Sequence, residues 1–377
     1  MSETAAPSNL VVSALSGSVL VLIQFDVSEE LRLEKLQQAV NARTVPQPKI
    51  KHSVPAYVRY QRPPVVAPLE PLTLEGGERL EGEIKYYDYG VVSVVYQLSF
   101  SGNWESLIHL ASRWVWEVDF AARIEPIVRD RLRRVADAMV KPYTRWLSED
   151  YFIFHLRDKG HLREKGDAVT AADLTREHGL EIAQIVRGDR LALSAGECTE
   201  VLQSRISYYE NDLAVIGWNA AFLYDSDTGA ETAIQLLEYA NSQLLEFRHY
   251  DELLTGILDN VYDSLEQKRG MMVRWRMARR ATRLHTVLLD IAELTERADN
   301  SIKFLSDMFA ARLYRLAAGK VGVPDYKDLV AKKLKTAEDL YHDMIDQFNQ
   351  ARGFFLEAIV VLILLIELVY LFKGKGF

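Results

Sequence analysis

"SVLVLIQFDV", Ser18 to Val27, is the stretch on which the fold turns. Its β-branched and aliphatic residues mark a buried strand rather than an amphipathic helix. Read more widely, Leu10 to Phe25 runs sixteen residues without a charge. A secretory leader would carry basic residues before such a run, and only Glu3 precedes this one. The expectation is therefore a strand in a folded head, with the bulk of the chain in the cytosol.

Working outward, "SEELRLEKLQQAV" follows, with Ser28 placed to cap a helix whose stripe is Leu31, Leu36 and Val40. Seven prolines between Pro46 and Gly77 argue for a surface excursion with one short strand at Tyr57 to Tyr60. "RLEGEIKYYDYGVVSVVYQLSF" reads as a hairpin turning at Gly90. Next comes a helical region from Asn103 to about Lys141, interrupted at Pro126, and then a strand at "YFIFHLR". This order is α+β, with the ferredoxin-like arrangement as a candidate.

A second mixed segment, 161–229, holds helices at "TAADLTREHGLEIAQIV" and "SAGECTEVLQSRI" and a strand, "DLAVIGWNAAFLYD", closed by the turn set "DSDTG". The divisions expected are a head at 1–160, this segment at 161–229, a three-helix coiled-coil bundle at 230–350 and a transmembrane helix at 354–372. The bundle rests on three seams with alternating spacings of three and four. The first runs Leu237, Ala240, Leu244, Phe247, Asp251, Leu254, Leu258, Val261 and Leu265. The second starts at Leu284, Leu288 and Ile291 and continues to Leu316. The third is Val330, Leu334, Ala337, Tyr341, Met344 and Phe348. Gly322 and Pro324 punctuate the last junction.

The segment "FFLEAIVVLILLIELVYLF", Phe354 to Phe372, is nineteen residues long, about 28 Å as a helix, against roughly 30 Å of hydrocarbon in a bilayer. Fifteen of its residues are Leu, Ile, Val or Phe, contributing about −6 kcal/mol on an insertion scale. Glu357 and Glu367 oppose this by at most about +5 kcal/mol. Insertion wins narrowly. The two acids lie about 80° apart around the helix, so both face one side, where a partner helix could meet them.

"YDYGVVSVV" at Tyr87 to Val95 and "FLEAIVVLILLIEL" near the end together resemble the required-for-meiotic-nuclear-division family, a domain of unknown function. The matching positions are Tyr89, Gly90, Val91, Val92, Leu356, Glu357 and Glu367. "ENDLAVIGWNAAFLYD" and "AARLYRLAAGKVGVP" are similar to bacterial members. The resemblance implies an α/β head, long helices and a C-terminal anchor. In the eukaryotic branch it implies an inner-membrane protein that supports organellar translation, tethering ribosomes. It brings no catalytic residue.

Other chemistry is sparse. A net charge of −8 excludes a nucleic-acid binder working through the whole surface. The lone Cys198 forms no intrachain disulfide. His155 and His161 lack the spacing of a metal pair. No phosphate loop or nucleophile elbow occurs. Trp218, Asn219, Tyr208 and Tyr209 read as strand packing. The local anomaly is Lys268 to Arg283, with seven basic residues and no acid. Within it, Arg274, Arg276, Arg279, Arg280 and Arg283 suit lipid headgroups or, as the lesser reading, ribosomal RNA. The sequence therefore predicts a membrane-anchored, oligomeric scaffold or tether without cofactor, metal or catalysis. The rival is an enzyme with a pocket in the head, which changes at Asp88 and Asn219 would probe.

Overall fold

A computed structural model describes residues 15–40, 43–44, 63–157, 169–266, 284–286, 288–289, 291–292 and 308–374. The chain divides into two compact units. One comprises Met1–Glu246 with Asn300–Pro324, the other Phe247–Asp299 with Asp325–Phe377.

The first unit is organised around β1, Leu15–Leu31, which contains the opening stretch and is buried along most of its length. Among the described residues it lies in a nine-stranded sheet. The other strands are β2 (Arg43–Thr44), β3 (Val65–Thr73), β4 (Arg79–Tyr86), β5 (Val91–Gly102), β6 (Met139–Arg157), β7 (Arg205–Ile206), β8 (Leu213–Ile216) and β9 (Ala220–Asp225). Their order is β2-β3-β4-β5-β1-β6-β9-β8-β7. β1 pairs antiparallel with β5 on one side and β6 on the other, and only β6 with β9 is parallel. This long mixed sheet replaces the ferredoxin-like arrangement, and strands from 1–160 and from 161–229 share it.

Alternation along the strands separates two faces. Val19, Val21, Ile23, Phe25 and Val27 of β1 join Val92, Val94, Phe152, Phe154 and Phe222 in the main core. Helices α2 (Trp104–Trp116), α3 (Phe120–Arg133) and α4 (Ala171–Arg187) contribute Leu107, Trp114, Ile124, Val128 and Ile182 to that core. Each starts on a side-chain cap: Asn103, Asp119 and Thr170. A further short helix, α5, spans Ala195–Gln203 behind the cap Ser194.

Several local expectations give way to tertiary pairing. Ser28 caps nothing; it lies inside β1, fully buried, because β1 continues past a bulge to pair Leu31 with Met139. Helix α1 begins only at Leu33 and ends at Val40. The proline-rich region holds a nine-residue strand, β3, in spite of Pro68 and Pro71. Among the described residues β2 meets β3 at Val65 and Val66, short of Pro68, and a register shift lies at Pro71. Tyr57 to Tyr60 lies outside the described residues. The helical region breaks at Glu117 to Asp119 rather than at Pro126, which sits on the exposed side of α3 between the buried Ile124 and Val128. "DLAVIGWNAAFLYD" is two strands, and "DSDTG" opens a helix: Ser226 Oγ accepts Gly229 N–H at 3.1 Å.

That helix, α6, runs Asp227–Glu266, and α7 (Met308–Val321) ends at Gly322, whose φ is +93°. Helix α8, Val323–Gly374, follows. In the second unit Phe247, Tyr250, Leu254, Leu258 and Val261 of α6 are buried. So are Leu284, Leu288 and Ile291 of the second seam, while its members between Thr295 and Leu305 fall outside the described residues. On α8, Val330, Ala337, Met344 and Ala351 are buried at a spacing of seven. Asp251, the polar member of the first seam, meets Lys333 at 2.6 Å.

Candidate functional site

The second face of the sheet is unlike the first. Ser18, Gln24, Asp26 and Ser28 alternate along β1, and Ser93 of β5 stands opposite Gln24 and beside Lys85 of β4. All of these are buried. Residues 236–246 of α6 are buried on every side, although Glu238, Asn241, Ser242, Gln243 and Glu246 are among them. Glu238, Ser242 and Glu246 follow at i, i+4 and i+8, which places them on one stripe.

Contacts along this stripe are specific. Gln24 Nε2 donates to the Glu238 carbonyl at 2.8 Å. Lys85 Nζ donates to Glu238 Oε2 at 2.7 Å and lies 3.2 Å from Glu83. Tyr89 Oη and Ser242 Oγ are 2.8 Å apart. On the other side of α6, Tyr314 of α7 donates to Gln243 Oε1, and Tyr239 lies against the Tyr314 ring. Gln24 Oε1, Ser93 Oγ and Glu238 Oε1 have no hydrogen-bond partner among the described residues. Such a layer is poor packing and good specification: an apolar layer would bind α6 as well but would not set its rotation and register.

Charge here is held against solvation. Burial raises the Asp26 carboxyl well above the ordinary aspartate range, and Glu246 pushes it the same way. Burial together with Asp26 and Glu246 raises the Tyr143 phenol. Burial alone would lower the Lys85 ammonium, but Glu238 and then Glu83 outweigh it and raise it. Neither Asp26 nor Ser242 is accessible, at 1% and 0% exposure, so a substrate would have to lift α6 to reach them. The geometry suits a fixed joint, not a catalytic pocket.

The motif residues sit at this joint. Gly90 has φ +95°, and a Cβ there would fall 1.7 Å from the Ser28 carbonyl oxygen, so glycine is the residue the turn accepts. Val27 N–H donates to Gly90 O at 3.1 Å and Leu31 N–H to Asp88 O at 2.9 Å, binding the turn to β1. Tyr87 and Tyr89 stack at 5.2 Å. Val91 packs with Tyr87 and Leu245, while Val92 points into the main core. Asp88 is half-buried in the turn.

Elsewhere the candidates scatter. His155 is buried in β6, its Nε2 3.0 Å from the Asp225 carbonyl oxygen, and burial lowers its pKa. His161 and all five arginines, Arg274, Arg276, Arg279, Arg280 and Arg283, lie outside the described residues. Trp218 is 56% exposed in the turn between β8 and β9, and Tyr208 and Tyr209 are 51% and 42% exposed before β8. None of the three is strand packing. At the other end, every residue of Phe354 to Phe372 on α8 is exposed, Glu357 and Glu367 included. This helix is long and apolar enough to cross a membrane, and none of its apolar window is buried among the described residues.

The joint lacks an obvious sequence signature. Asp26 and Gln24 stand out only as polar residues in an apolar strand, and the Glu238, Ser242, Glu246 stripe runs beside the apolar seam of the same helix. A search for i, i+4, i+8 polar spacing inside a seam would have flagged it.

A family model described as "Uncharacterized protein MJ0711, N-terminal domain" matches residues 16–231, more than half of the chain. The uncharacterized protein MJ0711 of Methanocaldococcus jannaschii is 21% identical over 170 residues, covering 45% of this chain and 52% of that protein. The chain thus spans about half the length of the curated relative it matches. No solved structure matches.

Proposed function

We propose a function from the fact that this chain belongs to the family of the uncharacterized protein MJ0711, N-terminal domain: it is a non-catalytic, membrane-anchored scaffold or tether. The observation that carries the reading is the uncovered apolar end of α8. Fifteen large apolar side chains left in water forgo about −6 kcal/mol of transfer free energy, and a bilayer covers them without further sequence. The anchor is single-pass and C-terminal, and the bulk of the chain stays in the cytosol. The buried polar layer beneath α6 is read as a joint that holds a helix.

The finer parts of the proposal are these. The buried heptad spacing on α8 supports a coiled-coil bundle within the chain, and self-association is proposed for the face of the last helix that carries Glu357 and Glu367. The finer resemblance, to the required-for-meiotic-nuclear-division family, rests on Tyr89 to Val92 and on Leu356, Glu357 and Glu367. The five arginines from Arg274 to Arg283 would contact lipid headgroups. Fractionation tests the anchor directly. Full-length protein is expected in an alkali-resistant membrane pellet, and a chain ending at Gly353 in the supernatant. Full-length protein that stays dispersed in buffer without detergent or bilayer would refute the proposal.

A further inference from the structure

A cavity of about 90 Å³ opens in the first unit, between the segment leading into β8, the end of β9, the first turns of α6 and the start of α7. With one water needing about 10–15 Å³ on the same measure, it accommodates a group of several heavy atoms. Four aromatic side chains line it, the buried Tyr224 together with Tyr208, Tyr209 and Phe309. Tyr208 and Tyr209 meet at 4.7 Å and 85°, and Tyr208 and Phe309 at 5.1 Å and 65°. Both tyrosines are substantially exposed. Their presentation is built in: Asp212, only 9% exposed, accepts the Tyr208 N–H at 2.7 Å and the Tyr209 N–H at 2.9 Å. That clamp fixes the backbone under both rings.

The lining also carries Asp212 and Asp225 and the hydroxyl residues Thr228 and Thr232, but no lysine or arginine among the described residues. The first turn of α6 would by itself favour an anion. Two of its amides are already occupied, since Ser226 caps Gly229 N–H and Ala230 N–H bonds the Ser226 carbonyl. What remains is negative ring faces set nearly at right angles, with two carboxylates at hand. Ring faces attract cations, and they hold alkylated ammonium groups best because methyls desolvate more easily than an N–H. A small inorganic cation would instead require several free oxygen ligands, and both Asp212 oxygens are engaged with backbone amides.

We propose that this cavity binds an alkylated ammonium group, held by Tyr208, Tyr209 and Phe309 with Asp225 and Asp212 supplying the counter-charge. The site is independent of the anchor proposal. The test is calorimetric titration of full-length protein in maltoside micelles, which keep the chain dispersed whether or not α8 spans a bilayer. Tetramethylammonium and choline are the probes, and 3,3-dimethylbutan-1-ol is the uncharged control of the same shape. Saturable binding of the two cations and none of the alcohol is expected. Tyr208→Leu and Phe309→Leu should each weaken binding by about 3- to 30-fold. Asp225→Asn should weaken it as well, and the thermal midpoint of each variant should stay near that of the parent. The two sources of such a group separate in nanodiscs: a headgroup ligand makes phosphatidylcholine discs weaken apparent choline affinity relative to phosphatidylglycerol discs, whereas a soluble ligand leaves the two equal. No saturable heat from either cation in maltoside, or equal binding of the alcohol, would overturn the proposal. So would cation binding unchanged in Tyr208→Leu and Phe309→Leu variants that keep their thermal midpoints.

Discussion

Asp26 is the residue at which the joint's electrostatics become measurable. Its carboxyl is 1% exposed, and its pKa is raised first by burial and then by Glu246. A raised folded-state value means that the native state holds this proton more tightly than the unfolded chain, whose aspartate titrates near about 3.9. The stabilisation is therefore complete below about pH 4 and is lost as pH rises through the folded value. Asn in its place keeps the shape and removes the titration. Relative to the parent, Asp26→Asn should gain about 1.4 kcal/mol per pH unit from about pH 4 upward, levelling off once the parent carboxyl has ionised. Urea midpoints of both proteins across that range, in maltoside, provide the check. Parallel curves would show that Asp26 keeps an ordinary pKa in the folded chain.

Elements whose own side chains define them were legible from sequence, and elements defined by a distant partner were not. β1 was readable because both its neighbours bury it, so its residues show the apolar run directly. The hairpin at Gly90, the starts of α2 and α4 and the apolar seam of α6 have equally local causes. Ser28 was misread because its cap propensity is local, while the ladder that holds it comes from β6, far along the chain. Tyr208 and Tyr209 were misread because nothing in "SYYEND" reveals that Asp212 turns back to clamp their amides. The joint was missed for the same reason: Lys85 and Glu238 are 153 positions apart. Their pairing is what docks α6, and it has a testable asymmetry. Lys85→Met alone strands the buried Glu238 carboxylate and should cost about 3–5 kcal/mol, Glu238→Leu should cost less because Lys85 keeps Glu83 at 3.2 Å, and the double variant should recover most of the Lys85→Met loss. A double-mutant cycle by urea denaturation measures the coupling, and simple additivity would mean the ion pair is incidental to docking.

For the molecule as a whole, the balance between water and lipid at the end of α8 decides the reading, and the margin is small. Fifteen apolar residues contribute about −6 kcal/mol against at most about +5 kcal/mol for Glu357 and Glu367. Glu357 sits near the entering end and Glu367 about 6 Å beyond the midpoint by helical rise, so the real penalty is smaller than that ceiling. A margin this narrow can be overturned or clearly widened by two substitutions. Leu364→Arg with Leu365→Arg removes two apolar contributions and adds about +2.5 to +3.5 kcal/mol for each arginine near the centre, which exceeds the margin. That variant should shift from the alkali-resistant pellet to the extractable fraction while the sheet and its joint remain folded. Glu357→Leu with Glu367→Leu moves the balance the other way and should leave the protein fully in the pellet. If the acids also bring anchors together, the same pair of substitutions should abolish cross-linking between copies without loosening membrane attachment. Attachment and association would then be separable properties of one helix, the first set by its leucines and isoleucines and the second by two carboxyls on one side of it.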